Sequence, residues 1–137
     1  MKALEHGLHF HHVGELIDDM EFSRTHYAKI FGKEALSQVF QIESQKVDVC
    51  FVQAQPNTFI ELVCPHEDNK SLQKMLQKNR QGFYHVGLLS PKFDKDKARF
   101  EDAGYIALPE FKSEAFEMRR CVFLMSPDSH MIEIIEQ

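Results

Sequence analysis

The chain has 137 residues, 43% of them hydrophobic and 27% charged, with a formal net charge of −5. That length suits one compact domain spanning 1–137 with a core of its own, and the acidic balance excludes a global basic field for nucleic acid. No apolar run approaches the roughly 18 residues of a membrane span, and Met1 to His6 lack the apolar stretch of a signal peptide.

In chain order, residues 8 to 17 read as extended. Asp18 or Asp19 is a plausible N-cap for a helix reaching Phe31, with Met20, Tyr27, Ile30 and Phe31 as its inner face and Gly32 as its stop. β-like runs follow at Val39–Ile42, Val47–Gln53 and Thr58–Val63, with Pro56 and Asn57 marking the last turn. Pro65 ends the third run, and Ser71 to Asn79 forms a short basic helix with Leu72, Met75 and Leu76 inward. A second strand–helix unit begins at Gly82–Phe83, with its helix from about Asp94 to Ala103 and Gly104 after it. Strands around Ala115 to Met125 and His130 to Glu136 close the chain.

The second half repeats the first. Phe10-His11-His12-Val13-Gly14 is matched by Phe83-Tyr84-His85-Val86-Gly87, and Phe59-Ile60-Glu61-Leu62-Val63 by Met131-Ile132-Glu133-Ile134-Ile135. His12 precedes Glu61 by 49 positions and His85 precedes Glu133 by 48. Gly32 with Gly104 and Phe51 with Phe123 keep the same register. The expected fold is therefore α+β: two tandem βαβββ modules, about 8–65 and 82–137, joined by the linker helix at about 71–79. They would form a curved mixed sheet around a cleft, with helices on its outer face.

Side-chain alternation in a strand supplies the chemistry. A Glu between Ile and Leu, or between two Ile, points away from its apolar neighbours. If those neighbours meet helices, both carboxylates face the concave side. The same logic turns His12 away from His11 and His85 away from Tyr84. A pseudo-twofold axis then gathers His12, Glu61, His85 and Glu133 as candidate metal ligands. Two neutral imidazoles and two carboxylates suit a divalent Co²⁺, Ni²⁺, Zn²⁺ or Mn²⁺.

These motifs, together with the helix from Asp18 to Gly32 and the run Lys78 to Val86, resemble the vicinal oxygen chelate superfamily, which includes glyoxalase I. Within it the resemblance is nearest to the methylmalonyl-CoA epimerase family, over about residues 8 to 137. The resemblance implies a metal-dependent enzyme that abstracts a proton α to a carbonyl, with the metal stabilising the resulting enediolate. It implies a small-molecule substrate, an acyl-CoA in the epimerase case, and a homodimer. Glu133 is then the first candidate base, with Glu61 or Glu43 as the second. The family's non-ligand catalytic Glu aligns with Ser44, one residue after Glu43, and a slip of one residue on a strand reverses its face. The compact turn Pro127-Asp128-Ser129-His130 is closer to that of glyoxalases and related resistance proteins. A glyoxalase I-like lyase or isomerase is accordingly the alternative, and a non-catalytic drug-binding protein of the same fold is another.

Other residues receive plainer readings. His6 and His9 are expected to be exposed, and His11 to lie on the strand face opposite His12. His26 and His66 have no partner in the repeat, and His130 belongs to the final turn. Lys70, Lys74, Lys78 and Arg80 could meet CoA phosphates or form a solvated helix face, and alternation would send Arg119 or Arg120 into the cleft. Cys50, Cys64 and Cys121 sit in apolar contexts without a Cys-x-x-Cys pair, and read as reduced core residues of a cytoplasmic protein.

Overall fold

A computed structural model describes residues 4–79 and 81–137; Arg80 and the Met1–Ala3 end of the N-terminal segment lie outside the described residues. The first module is β1 (His9–Leu16), α1 (Met20–Phe31), β2 (Phe40–Ile42), β3 (Val47–Gln55) and β4 (Thr58–Pro65). Helix α2 (Lys70–Asn79) leads to the second: β5 (Gly82–Ser90), α3 (Phe93–Asp102), β6 (Ile106–Ala107), β7 (Phe111–Ser113), β8 (Arg119–Met125) and β9 (Met131–Glu136). None of these helices is long and apolar enough to cross a membrane.

The strands form one mixed sheet in the order β2-β3-β4-β1-β5-β9-β8-β6, with β7 also on β8. β1 and β4 run parallel, as do β5 and β9, while β1 and β5 pair antiparallel and make the seam between the modules. The sheet curls so that the turns following β2 and β7 approach each other, the Glu43 backbone N–H donating to Glu114 Oε2 at 3.4 Å. This is the expected α+β architecture, with α1 and α3 outside the curl.

Alternation decides which residues build the core. Ile60 and Leu62 of β4 join Ile17, Cys50 and Val52 beneath α1. Ile132 and Ile134 of β9 join Val122, Leu124 and Phe93 beneath α3. The intervening Glu61 and Glu133 are left for the concave face.

Several local expectations need correction. Asp19 does cap α1, its carboxylate accepting from the Phe22 N–H at 3.0 Å, which satisfies a free donor of the first turn. However, only Met20 and Tyr27 of the expected inner face pack on the sheet; Ile30 and Phe31 are exposed. Leu36, which bridges to Val52 just past the helix, covers that part of the core instead. The stretch from Ala115 to Met125 is not one strand. A 3₁₀ turn at Glu114–Phe116 and positive φ at Glu117 and Met118 reverse the chain, so that β7 pairs back on β8. Arg119 and Arg120 both miss the cleft: Arg120 bonds Asp94 and Glu110 over the Phe93 ring, and Arg119 pairs with Glu117.

Candidate metal centre

The four residues converge because of how glycine sits in the register. On one rung, Gly14 of β1 lies between Glu61 of β4 and His85 of β5. Two residues along, Gly87 of β5 lies between His12 of β1 and Glu133 of β9. Each glycine leaves open the space that the other module's imidazole fills. A Cβ on Gly14 would overlap the His85 ring, and one on Gly87 the His12 ring. The repeated His-Val-Gly motif is thus a reciprocal arrangement, in which each module supplies one histidine and the gap for the other.

The resulting cluster is buried, its members between 0% and 5% exposed. His12 Nε2 lies 3.0 Å from His85 Nε2, 3.1 Å from Glu133 Oε1 and 3.5 Å from Glu61 Oε1. His85 Nε2 lies 3.3 Å from Glu61 Oε1 and 3.5 Å from Glu133 Oε1. All four donor atoms fall within 4.8 Å of one another, and all four come from one chain.

These distances fit a divalent ion. Metal–nitrogen and metal–oxygen bonds of about 2.0–2.2 Å put adjacent donors roughly 3 Å apart. The chemistry of the donor set points the same way. Glu133 Oε1, although close to both imidazoles, is a buried acceptor without a properly directed hydrogen bond. Four lone-pair-bearing atoms aimed at one point repel unless a proton or a cation lies among them. Without an ion, a proton serves. Burial alone would push the His85 imidazole down, but the Glu133 and Glu61 carboxylates outweigh it and raise it to about 9. Burial likewise favours neutral Glu133, yet His12 and His85 hold its carboxyl well below the usual carboxylate range. The residues could therefore hold a metal ion of the N₂O₂ type.

Two β-bulges complete the surroundings. In the β1–β5 ladder Phe10 pairs with Leu88 and His12 with Gly87, so His11 is an extra residue. Further along, Gly14 pairs with His85 and Glu15 with Phe83, so Tyr84 is extra. A bulge suspends strand alternation. His11 and Tyr84 therefore turn to the same concave side as the histidines that follow them, contrary to the opposite faces that alternation predicts. His11 Nδ1 sits 2.9 Å from His12 Nδ1, and the Tyr84 ring stands edge-on to His85 at 4.6 Å. Burial, then the nearby His12, lowers the His11 imidazole to about 4. Burial, then Glu61 and Glu133, raises the Tyr84 hydroxyl well above its usual range, so it keeps its proton.

The two sides of the cluster differ. On one, Phe51, Phe59 and Phe116 close around His11. On the other, a cavity of about 510 Å³ opens, lined by Glu61, Glu133 and Tyr84, by Val49, Val63 and Phe123, and by Lys46 and Lys70. The 3₁₀ turn at Glu43–Gln45 explains the asymmetry, because Ser44 and Gln45 border the cavity where the second module's matching turn inserts Phe116. Glu43 itself is exposed and does not line the cavity.

The remaining histidines stay outside the cluster. His6 and His9 are exposed, His26 stacks on Phe22, His66 Nε2 bonds Asp48 at 2.8 Å, and His130 is exposed beside Asp128. Lys74 and Lys78 lie on the exposed side of α2, whereas Lys70 reaches the cavity. Cys50 and Cys121 are buried, Cys64 is half-buried, and all three are free thiols.

Comparison with known proteins agrees with this arrangement. Residues 11–123 match the family described as the Glyoxalase/Bleomycin resistance protein/Dioxygenase superfamily. No curated protein matches. Among solved structures, a hypothetical protein from Bacillus halodurans C-125 superposes with a TM-score of 0.79 at 18% identity, covering 96% of this chain and 95% of that one. Methylmalonyl-CoA epimerase from Mycobacterium tuberculosis gives 0.79 at 17% identity, covering 93% and 87%. A variant of the Streptomyces coelicolor methylmalonyl-CoA epimerase, in complex with 2-nitronate-propionyl-CoA, gives 0.80 at 21% identity over 94% of both chains. At such identities the likeness establishes the fold.

Proposed function

Because the chain belongs to the Glyoxalase/Bleomycin resistance protein/Dioxygenase superfamily, we propose that it is a divalent-metal-dependent enzyme that removes a proton α to the carbonyl of an acyl-CoA, as a methylmalonyl-CoA epimerase does. The observation that carries this reading is that both cluster carboxylates line the one-sided cavity. His12, Glu61, His85 and Glu133 would hold the ion. When bound, such an ion supplies a Lewis acid that polarises a carbonyl oxygen and acidifies the adjacent C–H.

The protein's own groups supply the rest. Epimerisation removes a proton from one face of the α-carbon and returns one to the other, so it needs two acid–base groups. Glu61 and Glu133 come from β4 and β9, on opposite sides of the β1–β5 seam, and both border the cavity. We assign Glu133 as the first base and Glu61 as its counterpart; positioned proton transfer of this kind contributes on the order of 10²–10⁴-fold. Glu43 is left out because it is exposed away from the cavity. Tyr84 offers a protonated hydroxyl on the same lining, suited to donate a hydrogen bond to a substrate oxygen as negative charge grows on it. Val49, Val63 and Phe123 give the cavity an apolar stretch of lining, beside which such interactions are stronger than in water. Lys70 offers positive charge to an anionic acyl-CoA, whereas Lys46 on the same lining is paired with Asp68 at 3.6 Å.

A metal-free binding protein of the same fold fits less well, since a buried convergence of four acceptors serves no apolar ligand and is costly without a cation. The test uses Co²⁺-loaded protein with methylmalonyl-CoA in D₂O, following the α-proton by NMR. Metal-dependent wash-out, lost in His12→Ala and in stripped protein, is the expected result. No exchange despite stoichiometric Co²⁺ defeats this substrate and leaves the metal centre standing.

A further inference from the structure

The two candidate imidazole ligands are not equivalent, although duplication made them a pair. His85 Nδ1 is buried and has no hydrogen-bond partner among the described residues. His12 Nδ1 faces His11 Nδ1 at 2.9 Å. Tyr84 occupies in β5 the bulge position that His11 occupies in β1, but it presents a ring edge to His85 rather than an acceptor. The His11 ring is also firmly placed. It stacks on Phe59 at 4.8 Å and meets Phe51 and Phe116 edgewise at 5.6 and 5.2 Å.

We infer that His11 is a positioning residue, which accepts a hydrogen bond from His12 Nδ1–H and so fixes the tautomer and the aim of the His12 Nε2 lone pair. The direction follows from the chemistry of imidazole. A histidine that offers Nε2 to a metal must carry its proton on Nδ1. That proton points at His11, whose Nδ1 must then be the acceptor and whose own proton sits on Nε2. Outer partners of this kind orient ligating histidines and raise their basicity; their loss typically lowers metal affinity about 10–100-fold. Usually the partner is a carboxylate, a carbonyl or water, whereas here the bulge supplies a second imidazole. The inference rests on the metal-centre part of the proposed function and is independent of the substrate.

The first measurement is of side-chain tautomers, by long-range ¹H–¹⁵N NMR on the Zn²⁺-loaded wild-type protein. The expected spectrum has His12 protonated at Nδ1 and His11 at Nε2; a His11 protonated at Nδ1 overturns the inference. The second compares His11→Phe, which keeps an aromatic ring but lacks the acceptor, with His11→Asn, whose Oδ1 stands near the original Nδ1. Co²⁺ affinity should fall about 10–100-fold in the first and be largely restored in the second. Equal affinity in wild type and His11→Phe, or equal loss in both variants, also overturns it. If His11→Phe does not fold, the wild-type tautomers decide. Wild-type protein that binds no divalent ion defeats the metal centre itself, which separates that failure from one confined to His11.

Discussion

Gly14→Ala puts the reciprocal packing of the two modules to a direct test. The new methyl group would fall within the His85 ring, against Cε1, Nδ1 and Nε2, whereas non-bonded carbons need about 3.5 Å. The ring has nowhere to retreat, being held edge-on by Tyr84 at 4.6 Å, by Phe123 at 5.1 Å and by His12 at 5.1 Å. Either the imidazole leaves its place or β1 and β5 part. Overpacking of this kind costs about 1–3 kcal/mol, and at this chain length each kcal/mol lowers the melting temperature by about 4 °C. Loss of one of four donors should weaken Co²⁺ binding by on the order of 100-fold, at the upper end of what outer-shell substitutions do. Gly87→Ala should act in mirror image, through the His12 ring. Gly82→Ala is the control, since its Cβ would meet nothing within 4 Å. The assay is a Co²⁺ titration by visible absorption beside a thermal melt of metal-free protein. Unchanged affinity and melting temperature in Gly14→Ala would refute the account of why His-Val-Gly recurs.

Four further outcomes follow from the site. In metal-free protein His85 is raised from 6.5 to about 9, so the stability it confers, about 3 kcal/mol, is full below pH 6.5 and lost as pH rises through 9. A melting temperature of metal-free protein that stays flat over that window contradicts the cluster's electrostatics. For the same reason, metal uptake at pH 7.5 should release about one proton, measurable by calorimetry in buffers of different ionisation enthalpy. Tyr84→Phe should leave Co²⁺ affinity intact while slowing α-proton exchange by about 10²-fold, the usual cost of one oxyanion donor; an unaltered rate removes Tyr84 from the chemistry. With Co²⁺ held at saturation, since each change also removes a carboxylate from the metal cluster, Glu61→Gln and Glu133→Gln should each abolish epimerisation, yet each should still exchange the α-proton of one substrate epimer if the carboxylates serve opposite faces. Exchange of both epimers by either variant would show that one base suffices.

The fold and the four converging residues were legible because both follow from periodicity. Alternation set Ile60, Leu62, Ile132 and Ile134 against helices, and the repeated spacing put His12 and His85 in corresponding places. What escaped was whatever breaks the period. His11 and Tyr84 belong to bulges, where two residues oppose one on the partner strand and the alternation lapses. The signal available was the aromatic or imidazole residue directly before each ligand histidine, at matched positions in both copies. The end of α1 failed differently. Ile30 and Phe31 have the right spacing for an inner face, but Leu36 arrives from beyond the helix to fill the space. The filled and open sides of the cleft could not be read either, because they turn on whether a short 3₁₀ turn delivers Phe116 or Ser44 and Gln45.

The β1–β5 seam gives the cluster a role in the protein's mechanics. Among the described residues, this ladder is where the two modules' strands join, and the four donors come from the two strands of the seam and the strand flanking each. An ion held there ties segments that are far apart in the chain, much as a cross-link does. At a free concentration a thousand times its dissociation constant it adds about 4 kcal/mol to the folded state. Slow amide exchange would then extend through β1 and β5 in loaded protein and recede from the seam after chelation. Occupancy would set whether the halves unfold together or come apart first along their shared edge.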